Sequence, residues 1–386
     1  MKIRIGVLCL LVAGCAGMAR GEGTELGEVT FRPDMPVNTW VRVEPEYVAP
    51  PSGGRHWPSG WNKLVYDPVG KRMIYMDRWR DDVRKNTIYA NAVMEFDIVE
   101  NRVTCLKLTN WKRRDLGGGA YQTVPMPENE DEPTPADRHP YGNMTVVPEQ
   151  NALYLAGGAN QTARPRSAPA ETWRFDLEEH VWTKVESDVT PPNLLEDVME
   201  YDPSNRIIVR LARDGRQTWL LDIDEGQWRN AEAENNPRCG KSAAMCYDSK
   251  RERILLYGGP GRQGQAWNDP GPEMWAYSVE ENAWTRLPDA PVSARAPGMA
   301  YDARRDVVMI HARDGRDGPP TVAFYFPEEN EWRVLELPEE AEGPSPSWHT
   351  LAYDPVNDVF VRTAGGYTDP QWWLFRPDPS KAVAPE

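Results

Sequence analysis

The chain has 386 residues, among them 30 Gly, 36 Pro and 16 Trp against 7 Phe. This turn-rich, Trp-weighted composition excludes helical bundles and coiled coils, and 40% apolar content excludes wholesale disorder. Lys and Arg number 44 against 59 Asp and Glu, a formal charge of −15, and no segment gathers enough basic charge to hold a nucleic acid against that field.

Residues 1–19 have the pattern of a signal peptide: Lys2 and Arg4 precede an apolar run from Ile5 to Ala16 that is too short to span a bilayer. Within it Val12-Ala13-Gly14-Cys15 resembles the bacterial lipobox, which implies lipidation of Cys15 and, once Lys2 and Arg4 are cleaved off, a mature charge of −17. Cleavage after Ala19 is the alternative. Export is expected either way, to the cell envelope on a lipid anchor or to the periplasm or medium. No later stretch is apolar enough to cross a membrane, so the expected membrane link is that anchor alone. A linker, residues 20–35, follows. Of the remaining cysteines, Cys239 and Cys246 are separated by about 23 Å of extended chain, against the roughly 6 Å that a disulfide tolerates. They and Cys105 are expected to be buried free thiols.

From residue 36 to 378 the chain repeats. A Tyr-Asp pair stands before a turn and a β-branched run at Tyr66-Asp67, Tyr201-Asp202, Tyr247-Asp248, Tyr301-Asp302 and Tyr353-Asp354, with Val147-Pro148 aligned as the missing member. The intervals are 81, 54, 46, 54 and 52 residues. Each pair leads into a second strand, a loop and a third strand with an aromatic residue (Phe96, Trp173, Trp219, Trp275, Phe324, Trp372). A fourth strand follows, carrying Trp182, Trp228, Trp284 or Trp332, with Cys105 in that place in the first unit. Gly157-Gly158, Gly258-Gly259 and Gly365-Gly366 end three of the second strands.

These units resemble the kelch repeat, in which each unit is a four-stranded blade of a β-propeller. The resemblance implies an all-β, six-bladed, kelch-type propeller over residues 36–378 with a short tail, 379–386. The sixth unit stops after its third strand, Gln371 to Phe375, and Asn38 to Val43 matches the fourth-strand pattern. The N-terminal strand is therefore expected to close the ring and remove its open edge.

In this topology the first-to-second and third-to-fourth strand turns share one face, and the longer loops share the other. The segments from Asp77 to Ala90 and from Thr109 to Pro140 are expected as long loops on that second face, where binding belongs. Arg78, Arg213 and Arg313 replace the second Gly of the pair in units 1, 3 and 5, and an alternating ring of guanidinium groups suits carboxylate or sulfate. The opposing expectation is that each Arg pairs with a neighbouring Asp such as Asp214 or Asp314. At the starts of the inner strands stand Asn62, Asn143, Asp197 and His349, with Trp61, Glu196 and Trp348 beside them, residues that could stack on and bond to a sugar ring.

Two functional classes follow. The first is a non-catalytic, monomeric binding protein for a carbohydrate, possible acidic groups included, or for a protein. The second is an enzyme on an acidic sugar, of mutarotase, epimerase or lyase type, with Glu196, Asp197 or His349 moving protons. The kelch fold is shared with galactose oxidase-like copper enzymes and a sugar mutarotase, but neither's catalytic residues are matched here. No cofactor and no metal are expected: His56, His139 and His349 stand at unequal offsets from the repeat marker, although Tyr141 lies close to His139. Lys112-Arg113-Arg114 with Gly117-Gly118-Gly119 neither follows a strand nor opens a helix, so a loop is expected rather than a phosphate site.

Overall fold

The computed structural model describes residues 28–48, 55–58, 62–81, 86–107, 111–117, 120–125, 132–136, 138–158, 170–192, 197–212, 217–238, 243–258, 271–293, 297–313, 318–338, 342–345, 350–366 and 369–385. Six antiparallel sheets, each with four core strands, form a propeller. The innermost strands are Val65–Asp67, Met144–Val147, Val198–Asp202, Ala244–Asp248, Gly298–Asp302 and Leu351–Asp354, and each lies beside the next around the ring, the sixth beside the first.

The Tyr-Asp marker is a turn builder. Asp67, Asp202, Asp248, Asp302 and Asp354 are completely buried, and each accepts backbone N–H groups of the turn that follows, as Asp354 does from Val356 at 2.8 Å and Asn357 at 3.0 Å. These bonds close the turn locally. The residue before each second strand (Lys71, Asn151, Arg206, Glu252, Asp306, Asp358) is left-handed, with φ between 44° and 57°. Neighbouring turns are laced together by ion pairs such as Arg305 to Asp358 at 2.5 Å.

The apolar side chains form six clusters, one between each pair of neighbouring blades. A blade has two apolar faces that only its neighbours can cover, which is why the repeats stack into a ring. The fourth-strand Trp spans this seam: Trp228 and Trp284 donate from Nε1 to Thr172 and Thr218 of the preceding blade, each at 2.8 Å.

Ring closure is by the N-terminal strand. Trp40–Val43 pairs with Phe375 to Trp372, completing the sixth blade. The two chain ends rebuild the third-to-fourth strand turn without a covalent link. Asn38 N–H donates to the Arg376 carbonyl at 2.8 Å, as Gly226 does to Asp222 within one chain segment at 2.9 Å. Asn38 also has the left-handed φ of 54° that Asn101, His180, Asn282 and Asn330 adopt at this place.

Four local expectations need correction. Phe96 faces Val103, as Phe175 faces Trp182, so Val103 rather than Cys105 takes the Trp position in the first blade. Val147 faces Ala152 as Asp67 faces Arg72, so Val146-Val147, not Val147-Pro148, replaces Tyr-Asp in the second blade; Pro148 instead starts a 3-10 turn. The described part of the linker, residues 28–35, and the tail are docked. Arg376 donates to the carbonyls of Phe31 and Arg32, each at 2.7 Å, Met35 is buried, and Val383 exchanges two backbone bonds with Val334 in the fifth blade. Finally, the two long loops contain strands: Arg72–Asp81 and Asn86–Asp97 run on as one extended hairpin, and Trp111–Gly117 pairs with Ala120–Pro125 as another.

Candidate functional site

At the end of the axis where the inner strands begin, a small cavity of about 10 Å³, room for about one water, is bounded by residues of all six blades. Its walls are mostly apolar, with Val198, Met245, Pro297, Met299 and Leu351 among them, and one cation, Lys63. The Lys63 ammonium donates to the Met199 carbonyl at 2.8 Å and to Glu200 at 2.7 Å; the other Glu200 oxygen accepts from Thr145 at 2.7 Å. This end of the axis is the face of the long connections, where the sequence placed binding.

The polar residues at the strand starts separate into different roles. Asn62 is buried and donates to the Met76 carbonyl, a bond within its own blade. Asp197, completely buried, forms an ion pair with the buried Arg210 at 2.5 Å. Asn143 is completely buried, and among the described residues neither atom of its carboxamide has a hydrogen-bond partner. Trp61, Glu196, Trp348 and His349 lie outside the described residues.

Of the three arginines singled out, Arg213 lies outside the described residues, and Arg78 stands in the extended hairpin between Trp57 and Tyr89. Arg313 is fully placed. Its guanidinium donates to Ser345 at 3.1 Å, in the connection between the fifth and sixth blades; Asp314, its expected local partner, lies outside the described residues.

Beside it is a second guanidinium that the repeat pattern did not bring forward. Arg362, completely buried, donates to the His311 carbonyl at 3.0 Å. Its head occupies the space over Gly298, where any Cβ would collide with Nη1, and Gly298 lies between the cavity residues Pro297 and Met299. Burial, and then the nearby charge of Arg313, lowers the pKa of Arg362 to about 9. His311, buried against the Trp40 ring with centroids 4.8 Å apart, has no partner among the described residues for either ring nitrogen. Burial first, then Arg362 and Arg313, hold its pKa well below the ordinary imidazole value. Arg210 and Arg362 hold the same position in the second strands of blades three and six, opposite Met199 and Leu351. The signal available in the sequence was a charge interrupting an apolar run, in Ile207-Ile208-Val209-Arg210 and Val359-Phe360-Val361-Arg362.

His139 is buried against Tyr141, ring centroids 4.5 Å apart, while His56 is in the strand Arg55–Pro58. Among the described residues no group of three or more His, Cys, Asp or Glu could hold a metal ion. Cys105 and Cys246 are free thiols; burial, followed by Glu200 and Asp248, raises the pKa of Cys246 well above the ordinary value. Cys239 and Cys15 lie outside the described residues. Lys112 to Arg114 lie in a hairpin strand, not in a helix-opening loop. No described helix is long and apolar enough to cross a membrane. The chain matches no protein-family model and no curated protein.

Proposed function

We propose that this protein is an exported propeller of kelch type that binds an acidic carbohydrate, bearing a uronate, sialate or sulfate group, at the axial mouth without transforming it. The observation that carries this reading is the buried guanidinium of Arg362, held over Gly298 next to the cavity residues Pro297 and Met299, with the charge of Arg313 near enough to disfavour its own. Like charges kept close at the mouth of an acidic molecule favour an anion between them, and guanidinium meets carboxylate or sulfate with two parallel bonds.

Binding is preferred to catalysis because Asp197, one of the groups considered for proton transfer, is committed to Arg210. Export rests on the signal pattern of residues 1–19, and the lipobox-like Val12 to Cys15 supports a lipid anchor. The kelch assignment rests on the double glycines and on blades with the Trp-bearing fourth strand. The test is a glycan array probed with the wild type and with an Arg78→Ala, Arg213→Ala, Arg313→Ala variant. Acidic glycans are expected to dominate and to be lost in the variant. A preference for neutral glycans that survives the three changes would end the proposal.

A further inference from the structure

The face opposite the cavity, where the strand turns lie, is not uniform around the ring. Two places after the last residue of the inner strand stand Val69 in the first blade and Val356 in the sixth. The matching residues in the second to fifth blades are Glu149, Ser204, Lys250 and Arg304. The third-to-fourth strand turns show the same exchange. Val99 stands where the second to fifth blades have an acid, as at Glu178 and Asp224. Val37, in the turn rebuilt from the two chain ends, stands where every other blade has Glu, as at Glu179 and Glu225. These four valines are between 39% and 61% exposed. The turns hold two of them outward, because Val69 and Val356 donate their N–H groups to Asp67 and Asp354 at 3.0 and 2.8 Å.

The first and sixth blades are neighbours, and the N-terminal segment meets the ring on this face at their seam. Arg376 ties it there. Besides the carbonyls of Phe31 and Arg32, its guanidinium donates to those of Asn357 at 3.3 Å and Asp358 at 3.4 Å, in the sixth-blade turn. Phe31 and Met35 join the apolar cluster between the two blades. Upstream, Cys15 precedes Glu28 by 13 positions, so a lipid on Cys15 lies within about 45 Å of Glu28 even on a fully extended chain. The seam where valine replaces charge is therefore the seam from which an anchored chain leads to the bilayer.

We infer that the turn face at the seam of the first and sixth blades rests on the lipid surface that holds the Cys15 anchor, with Val37, Val69, Val99 and Val356 entering the headgroup boundary. This rests on the lipid-anchor reading above and goes beyond it, because it assigns a contact surface and an orientation. An exposed apolar patch with a polar rim marks an interaction site, and exposed Lys71, Arg102 and Glu100 rim this one. A carboxylate brought to an apolar boundary loses hydration without a partner, whereas valine gains by leaving water. That difference accounts for the exchange of acid for valine at this seam alone. A lipid chain binds more firmly when the protein supplies a second contact, and the patch supplies it. The inner-strand starts and the cavity, at the other end of the axis, then face away from the membrane and toward an arriving ligand.

The test is hydrogen exchange on the full chain, its acylation at Cys15 checked by intact mass, in vesicles of phosphatidylethanolamine and phosphatidylglycerol. The reference is the Cys15→Ser protein free in solution. Exchange in the turns at 68–71, 98–101 and 355–358 is expected to slow about tenfold on the vesicles, while the fourth-blade turns at 249–252 and 279–282 are unchanged. The combined variant Val37→Glu, Val69→Ser, Val99→Glu, Val356→Ser installs residue types of the other blades at exposed positions. It is expected to stay anchored and to lose the protection. Acylated, vesicle-bound protein whose first- and sixth-blade turns exchange as in solution would overturn the inference and leave the anchor reading standing. Protection that persists in the combined variant would also overturn it. Slowing of the same turns with rising concentration of Cys15→Ser, without vesicles, would assign the patch to a second copy instead. A wild type without acyl chains on Cys15 overturns both readings.

Discussion

Replacing Trp40 by Ala tests the closure of the ring at its one non-covalent seam. Trp40 is 5% exposed and packs between the rings of His311 in the fifth blade and Phe375 in its own, each with centroids 4.8 Å away. Removing a buried Trp side chain costs about 3–5 kcal/mol, and here the loss falls on a strand joined to the rest of the sixth blade by non-covalent contacts only. The indole N–H of Trp40 has no partner, so Trp40→Phe loses packing but no hydrogen bond. Trp284→Phe, by contrast, also gives up the bond to Thr218 at 2.8 Å and should cost about 1 kcal/mol more than Trp40→Phe. Urea unfolding followed by both fluorescence and circular dichroism gives these differences, provided that the two transitions coincide and the denaturant slope is unchanged. A Trp40→Ala loss below about 1 kcal/mol would show that the strand does not close the ring and would refute the reasoning.

Deleting residues 36–44 is expected to destabilise far more than deleting 381–386. The tail removal is not neutral, because it ends the two bonds between Val383 and Val334, worth together about 1–3 kcal/mol; equal melting temperatures for the two deletions would contradict this. His311, whose folded pKa lies well below 6.5, stays neutral beside Trp40, Arg313 and Arg362 while the unfolded imidazole takes a proton. Its contribution is therefore fully present above about pH 6.5 and is lost at about 1.4 kcal/mol per pH unit as pH falls toward the folded pKa. His311→Leu, which copies Leu211 at the same strand position, is expected to flatten the urea-determined stability profile between pH 6.5 and 5; a parallel shift without a change in slope would contradict the assignment. Cys15→Ser is expected to move the protein from the membrane fraction to the soluble fraction, and a soluble wild type beginning after Ala19 would exclude the anchor.

The blade count and the closure were legible because they are local. A buried Asp capping its own turn, a left-handed residue before a strand and a Trp two places into the fourth strand recur at fixed spacing, and Asn38-Thr39-Trp40 carries the last of these signals intact. Register was less legible where the marker residues were missing: Val146-Val147 has no buried carboxylate, and the adjacent Val147-Pro148 imitates the spacing. Arg78-Trp79-Arg80 looked like a loop because its charges obscure strand alternation, yet pairing with Asn86 to Tyr89 continues the sheet. The site was the least legible part. Arg313 finds Ser345 across 32 residues of chain, and Arg362 finds its place only because Gly298 of another blade has no side chain. Such meetings depend on how blades sit together, which a repeat spacing does not encode.

The most direct test of anion binding at the mouth is the calorimetric affinity for an acidic glycan chosen from the array, measured for the wild type, Arg313→Lys and Arg313→Ala at low and high salt. The prediction is that Arg313→Lys weakens binding despite keeping its charge, because an ammonium has no planar fork, that Arg313→Ala weakens it further, and that salt weakens the wild type moderately. An affinity that is unchanged by both substitutions and indifferent to salt would contradict the account.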